Sequence, residues 1–204
     1  LKRSHQKIKI LTNNSMAYKE NKYFKKHCGK HKDIKKILTY LENICNDENC
    51  DFYVFGSILR HDFYYKQSDC DLIIACDDID RTIAKFEYII QNNKNIQLID
   101  SISKRLYAVK NMPQLKNSCA SALLLKINMN GLPIDINFLK KNDFTMPGCS
   151  NIQQSNNYLY IVLISIIKFF YYKINIVPDW LYTKMKTFIN HNFSCHRYTL
   201  VKEI

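Results

Sequence analysis

The chain has 204 residues and 24.2 kDa, room for one domain or for one domain with a small helical appendage. Hydrophobic residues make up 47% while glycine and proline number four each, which excludes wholesale disorder and collagen-like or linker-rich architectures. Thirty Lys and Arg against 18 Asp and Glu give a formal charge of +12, an excess that attracts polyanions, although lysine- and asparagine-rich coding bias produces the same balance without any such partner.

The first 30 residues are rich in lysine and asparagine with no sustained period, and they read as a loose basic arm (1–30) ahead of a core at 31–150 and a C-terminal helical segment at 151–204. From Asp33 to Cys45 the apolar residues Ile34, Ile37, Leu38, Leu41, Ile44 and Cys45 recur at helical spacing, with lysines on the other face. Asn46 to Asn49 is a turn, and Asp51 to Phe55 reads as a short strand ending at Gly56. A short helix is expected from Ser57 to about Tyr64. Asp71 to Cys76 is a second strand, apolar enough to be covered on both faces. Asp80 to Gln91 reads as a helix with Ile83, Phe86, Ile89 and Ile90 inward; Ile96 to Ser101 as a third strand, and Tyr107 to Lys110 as another.

The clearest local signal follows. Ala122 to Met129 and Ile134 to Leu139 flank Asn130-Gly131, a dipeptide suited to a tight type I′ turn at positive φ. Pro133 stands at the start of the returning strand, where a missing N–H is tolerable. Helices are expected at Gln154 to Tyr172 and at Pro178 to Asn190. The order of elements implies an α/β or α+β domain: a mixed sheet flanked by helices, with a C-terminal helical segment.

Eight cysteines occur with no CxxC pair, several of them inside apolar runs, and no signal-peptide pattern is visible at the basic N-terminal end. A reduced, intracellular protein is the simplest expectation. The most apolar stretch, Tyr158 to Tyr172, is interrupted by Lys168 and is shorter than a membrane span, so a buried helix and no membrane contact are expected. Leu1 is not a methionine, as expected of a fragment or trimmed chain.

Three acids carry the chemistry. Asp69 and Asp71 lie two apart at the start of a strand, so their side chains leave the same face roughly 6.5 Å apart. Two carboxylates so placed can share a pair of divalent cations; unpaired and partly buried, they would repel. Asp135 is inserted between Ile134 and Ile136 in an otherwise apolar strand, and a neighbouring strand could bring it beside the first two. Upstream, Val54-Phe55-Gly56-Ser57 marks the junction of a strand with a helix start, where a glycine lets a phosphate approach the backbone and Ser57 adds a hydroxyl donor.

These residues, taken in order, resemble the signature of the DNA polymerase beta-like nucleotidyltransferase superfamily: Val54-Phe55-Gly56-Ser57, then Ser68-Asp69-Cys70-Asp71-Leu72, then Ile134-Asp135-Ile136. Arg60 matches an arginine often found shortly after the Gly-Ser pair, whereas the glycine that commonly follows it is His61 here. The resemblance covers Asp33 to Phe138, or to Tyr172 if the next helix is counted. It implies that Gly56, Ser57 and Arg60 bind the phosphates of an NTP or dNTP. It also implies that Asp69, Asp71 and Asp135 hold two Mg²⁺ or Mn²⁺ ions, and that a nucleoside monophosphate passes to an acceptor hydroxyl. With the basic charge, the favoured acceptor is a polynucleotide 3′ end; a small molecule or a protein is the alternative.

Plainer readings exist for each part. Gln67-Ser68-Asp69 before a strand is ordinary turn chemistry, Asp135 could guard a sheet edge, Gly56-Ser57 could be a simple helix cap, and Arg60 a solvated surface residue. Zinc at Cys28, His31, Cys45 and Cys50, or at His191, Cys195 and His196, lacks the spacing of a finger. Tyr64-Tyr65-Lys66 and Phe169 to Lys173 mix rings with cations and could stack bases, or simply form core and rim. The rival function is a non-catalytic nucleic-acid-binding or regulatory module on the same fold.

Overall fold

The computed structural model describes residues 18–109, 120–141, 158–193 and 198–203. Of the expected elements, the arm as far as residue 17, Lys110, and residues 154–157 of the helix expected from Gln154 lie outside them, as do Cys195 and His196.

The expected loose arm is instead helical in its last part. Helix α1 (Lys22–Lys30) begins at Asn21, whose side chain accepts hydrogen bonds from the N–H groups of Tyr23 (2.9 Å) and Phe24 (3.1 Å). It docks through two aromatic residues: Phe24 and Tyr18 are buried and meet edge to face at 5.1 Å, and the Tyr18 hydroxyl donates to Glu42. Helix α2 (Lys32–Asp47) buries the six apolar residues that its period picked out.

Strands β1 (Asp51–Phe55) and β2 (Cys70–Cys76) follow, joined by a 3₁₀ turn at Gly56–Leu59 and a loop. The helix expected from Ser57 to Tyr64 is not there: Arg60 is already extended, and its N–H closes the turn on the Ser57 carbonyl. Helix α3 (Ile79–Asn92) starts at Asp78, which caps the Arg81 N–H at 3.0 Å. Strand β3 (Ile96–Val109) runs through both short strands expected in this region, with register shifts near Asp100 that break its alternation. Strands β4 (Ala120–Met129) and β5 (Leu132–Lys140) form the expected hairpin. Asn130 and Gly131 are its two-residue loop, with φ of 55° and 83°. Pro133 lies one residue before β5 begins pairing with β2, so its missing N–H costs no bond on that side.

Helix α4 (Tyr158–Phe169), a wider π turn at Phe170–Ile174, helix α5 (Asp179–Phe193) and strand β6 (Tyr198–Glu203) complete the chain. The result is a mixed α/β fold. Its six strands run in the order β1-β2-β5-β4-β3-β6, with β2 and β5 parallel and the other pairs antiparallel.

One face of this sheet carries the main core. Leu72, Ile74, Ile134, Ile136, Phe138 and Val54 pack there with the buried residues of α1, α2 and α3. The other face keeps only a small apolar cluster of Tyr53, Ile73, Ala75, Ala122 and Leu139. Helices α4 and α5 form a third cluster through Tyr160, Ile164, Ile167, Tyr182 and Ile189. Among the described residues no helix is long and apolar enough to cross a membrane, and the cysteines described (Cys28, Cys45, Cys50, Cys70 and Cys76) are free thiols.

Candidate active site

The second sheet face carries the acids because β2 alternates. Cys70, Leu72 and Ile74 point into the main core, so Asp71, Ile73 and Ala75 take the opposite side. The parallel register of β2 and β5 sets Asp71 directly opposite Asp135. Strand spacing puts the two backbones about 4.8 Å apart at that point. Asp135 therefore lies on an interior strand, between β2 and β4, and not on a sheet edge. Asp69 precedes the strand, close enough for its charge to act on Asp71.

The electrostatics are those of crowded acids. The Asp71 carboxyl is pushed up to about 7, first by the loss of surrounding water, then by the charges of Asp135 and Asp69. Lys186 and Lys168 pull in the opposite direction and only partly offset this. Both lysines belong to the C-terminal helices, so α4 and α5 bring positive charge over the acidic end of β2 and β5.

Gly56 fits against the acids more tightly than any other residue type could. Its φ is +79°, and a Cβ built there would lie 2.0 Å from Asp71 Oδ2. The Gly56 backbone is thus packed directly against Asp71. Ser57 follows it, 5% exposed, in a single 3₁₀ turn rather than at the start of a full helix, so the helix-terminus field expected for phosphate binding is shortened to one turn.

Arg60 is not a solvated surface residue. Its side chain is 16% exposed and forks onto Asp62, with Nε at 2.8 Å from Oδ1 and Nη2 at 3.1 Å from Oδ2, and its guanidinium lies 5.7 Å from the centre of the Tyr160 ring. Lys168 Nζ reaches the same carboxylate at 3.3 Å and also donates to the Asp62 carbonyl at 3.3 Å. Burial alone would raise Asp62; the two cations more than offset it and hold the carboxyl below the usual range. Burial lowers Lys168, with Asp62 opposing.

Asp62, Lys168 and Lys186 were not among the residues expected from sequence. Asp62 reads as a loop acid, Lys168 as an interruption of an apolar helix, and Lys186 as one more surface lysine. The single signal available was a charge at a helical position flanked by Ile164 and Ile167, both of which are buried. Lys126 was missed as well; it stands opposite Asp135 across the β4–β5 ladder.

The rest of the 60–68 loop is anchored from several directions. His27 Nε2 donates to the Arg60 carbonyl at 2.8 Å, His61 Nε2 and Ser165 Oγ lie 3.1 Å apart, and the Tyr64 N–H donates to Ser68 Oγ. The aromatic and cationic stretches also meet here. Tyr64 and Tyr172 are 5.3 Å apart, Lys173 lies over Tyr64, and Tyr171 stacks on Tyr182 at 4.0 Å. Burial raises Tyr172, and the Asp69 charge adds to it; burial and then Tyr172 raise Tyr182, with a smaller contribution from Asp69, so both rings lie within reach of the Asp69 charge.

Among the described residues no group of three or more His, Cys, Asp or Glu closes around a point as a ready-made metal cage. The donor set nevertheless suits a hard cation. Carboxylate oxygens and water are the ligands of Mg²⁺, which keeps several waters and rarely takes an all-protein cage.

No family model matches the chain, and no curated protein matches it. Among solved structures it is similar to a chain in the structure of the GLD-2/RNP-8 complex, with 14% identity and a TM-score of 0.42, over 93% of this chain and 64% of that one. The chain therefore spans just under two thirds of the length of that structure's chain.

Proposed function

We propose that the chain is a metal-dependent nucleotidyltransferase that moves a nucleoside monophosphate from an NTP or dNTP to an acceptor hydroxyl. The observation that supports it most is the register of β2 and β5, which sets Asp71 against Asp135, with Gly56 backed onto the Asp71 carboxylate. Asp69, Asp71 and Asp135 would hold two Mg²⁺ or Mn²⁺ ions. Bound there, such ions would supply the charge that lowers the pKa of an acceptor hydroxyl and offsets that of a departing pyrophosphate.

The chain's own residues divide the remaining work. The Gly56 backbone and the Ser57 hydroxyl receive phosphate oxygens at the notch. Lys168 and Lys186 supply fixed positive charge across from the acids, where a triphosphate needs it. Asp135, on the acid-bearing strand further from the notch, faces the acceptor and can take its proton. Tyr64, Tyr172 and Lys173 offer rings and a cation beside Asp69 for a nucleobase or the end of a strand. A polynucleotide 3′ end is the favoured acceptor, because a +12 chain attracts polyanions.

Incubation of the full chain with each labelled NTP and dNTP, Mg²⁺ or Mn²⁺, and RNA, single-stranded DNA or primed duplex tests this reading. Metal-dependent incorporation that falls at least about 100-fold in Asp71→Asn and Asp69→Asn, with both variants folded, is expected. Equal incorporation by the folded variants would sink it.

A further inference from the structure

The triad of Arg60, Asp62 and Lys168 is built with unequal bonds. Arg60 and Asp62 form a two-pronged pair at 2.8 and 3.1 Å, one cation against one carboxylate. Lys168 shares one oxygen of that carboxylate at 3.3 Å, longer than a good charge-assisted bond. The three groups sum to one net positive charge, yet Asp62 and Lys168 are 3% and 5% exposed. A buried ammonium that shares its one carboxylate with a two-pronged guanidinium is under-neutralised. Its other charged neighbours are Arg60 and Lys186, which repel it, and Asp71, which attracts it across the site.

We propose that Asp62 is the internal counterion of the phosphate subsite. It keeps Lys168 inside the nucleotide-free protein and yields it to the triphosphate, while Arg60 keeps the carboxylate neutral in both states. This rests on the functional reading above and adds to it a positioning residue that acts through Lys168. Two features make the exchange physically reasonable. Lys168 Nζ also donates to the Asp62 backbone carbonyl, so the ammonium keeps one bond to the loop when the carboxylate contact loosens. Asp62 lies in the loop that leaves the Gly56–Ser57 notch, so the carboxylate sits on the same connection as the backbone that would receive phosphate. The alternative is that Asp62 merely pins α4 to the loop.

The test is thermal unfolding of the full chain, free of divalent metal, with and without sodium tripolyphosphate, for the native protein, Asp62→Asn and Lys168→Met. The counterion role predicts a lower melting temperature for D62N in plain buffer, and a tripolyphosphate-induced rise several-fold larger than that of the native chain. K168M, which keeps the neutral Arg60–Asp62 pair, should fold and lose most of the native rise, which also separates this site from general attraction to a basic surface. Should D62N not fold in buffer, refolding in tripolyphosphate should recover it, and failure to do so counts against the proposal. A rise in D62N equal to or smaller than the native one, or a native-sized rise in K168M, overturns it. With nucleotide, D62N should lower KM several-fold with a smaller change in kcat, a split that a merely structural contact would not give. The tripolyphosphate pattern without any nucleotide incorporation by the native chain would remove the transferase reading and leave the counterion standing.

Discussion

At the scale of single residues, Gly56 and Asp71 constrain each other. Only glycine combines a φ of +79° with an absent side chain 2.0 Å from where Asp71 Oδ2 lies. Gly56→Ala must move either the notch or the acid, and a displacement of an ångström in such a site costs on the order of 100-fold in rate. Loss of incorporation with an unchanged far-ultraviolet dichroism spectrum is therefore expected, and near-native incorporation would contradict the packing of notch on acid. Asp71 also sets a pH dependence. Its folded value of about 7 lies above the ordinary 3.8, so the folded state holds the proton more tightly than the unfolded one. The contribution is fully present below 3.8 and is lost as pH rises through the window from there to about 7. Metal-free protein should lose stability across that window more steeply than Asp71→Asn, as read by denaturation midpoints at each pH. Added Mn²⁺ should restore the native protein at pH 8 and not the variant.

At the scale of elements, the β4–β5 hairpin fixes where Asp135 lands. Its two-residue loop pairs Met129 with Leu132, and from there the ladder places Asp135 opposite Lys126 and Asp71. Gly131→Ala meets only the flexible end of Lys66, so its cost is that of forcing positive φ on a side chain, about 1 kcal/mol. Urea unfolding should show that loss with incorporation retained; a variant that unfolds outright would mean the loop carries more than its own turn. This hairpin, β1, β2 and α2 were legible because their patterns are local: alternation, helical period and a turn dipeptide. Helix α1 was not, since only Phe24 in its own span is buried and the rest is lysine-rich. The register shifts near Asp100 reverse the alternation within β3, so one long strand looks like two short ones. Strand β6 pairs with β3 across nearly half of the chain, a contact no local pattern announces. The same division holds in the site. The three acids could be picked out because Asp71 and Asp135 stand out in apolar strands and Asp69 lies two residues before Asp71, while Asp62, Lys168 and Lys186 acquire meaning only when α4 and α5 come over the sheet.

At the scale of the whole molecule, the site is shared between two parts of the chain that have separate hydrophobic clusters. The sheet supplies the acids and the notch; the C-terminal pair supplies cations. Their coupling is visible in Asp71, whose carboxyl is lowered by Lys186 of α5 and Lys168 of α4 against the larger effect of burial. Removing one of these cations without touching the sheet isolates that coupling. In Lys186→Met the Asp71 carboxyl should rise further, because a stabilising charge is gone while burial and the neighbouring acids remain. A carboxylate must be ionised to hold a divalent ion, so the pH at which Mn²⁺ begins to stabilise the protein should move upward. The expected shift is up to about one pH unit, since one unit corresponds to about 1.36 kcal/mol of lost interaction, the scale of one partly screened charge pair. Mn²⁺-induced melting shifts measured across pH read this directly. A midpoint that stays in place, or moves to lower pH, would mean that α5 does not press its charge on the acids, and that the sheet face works independently of the helices above it.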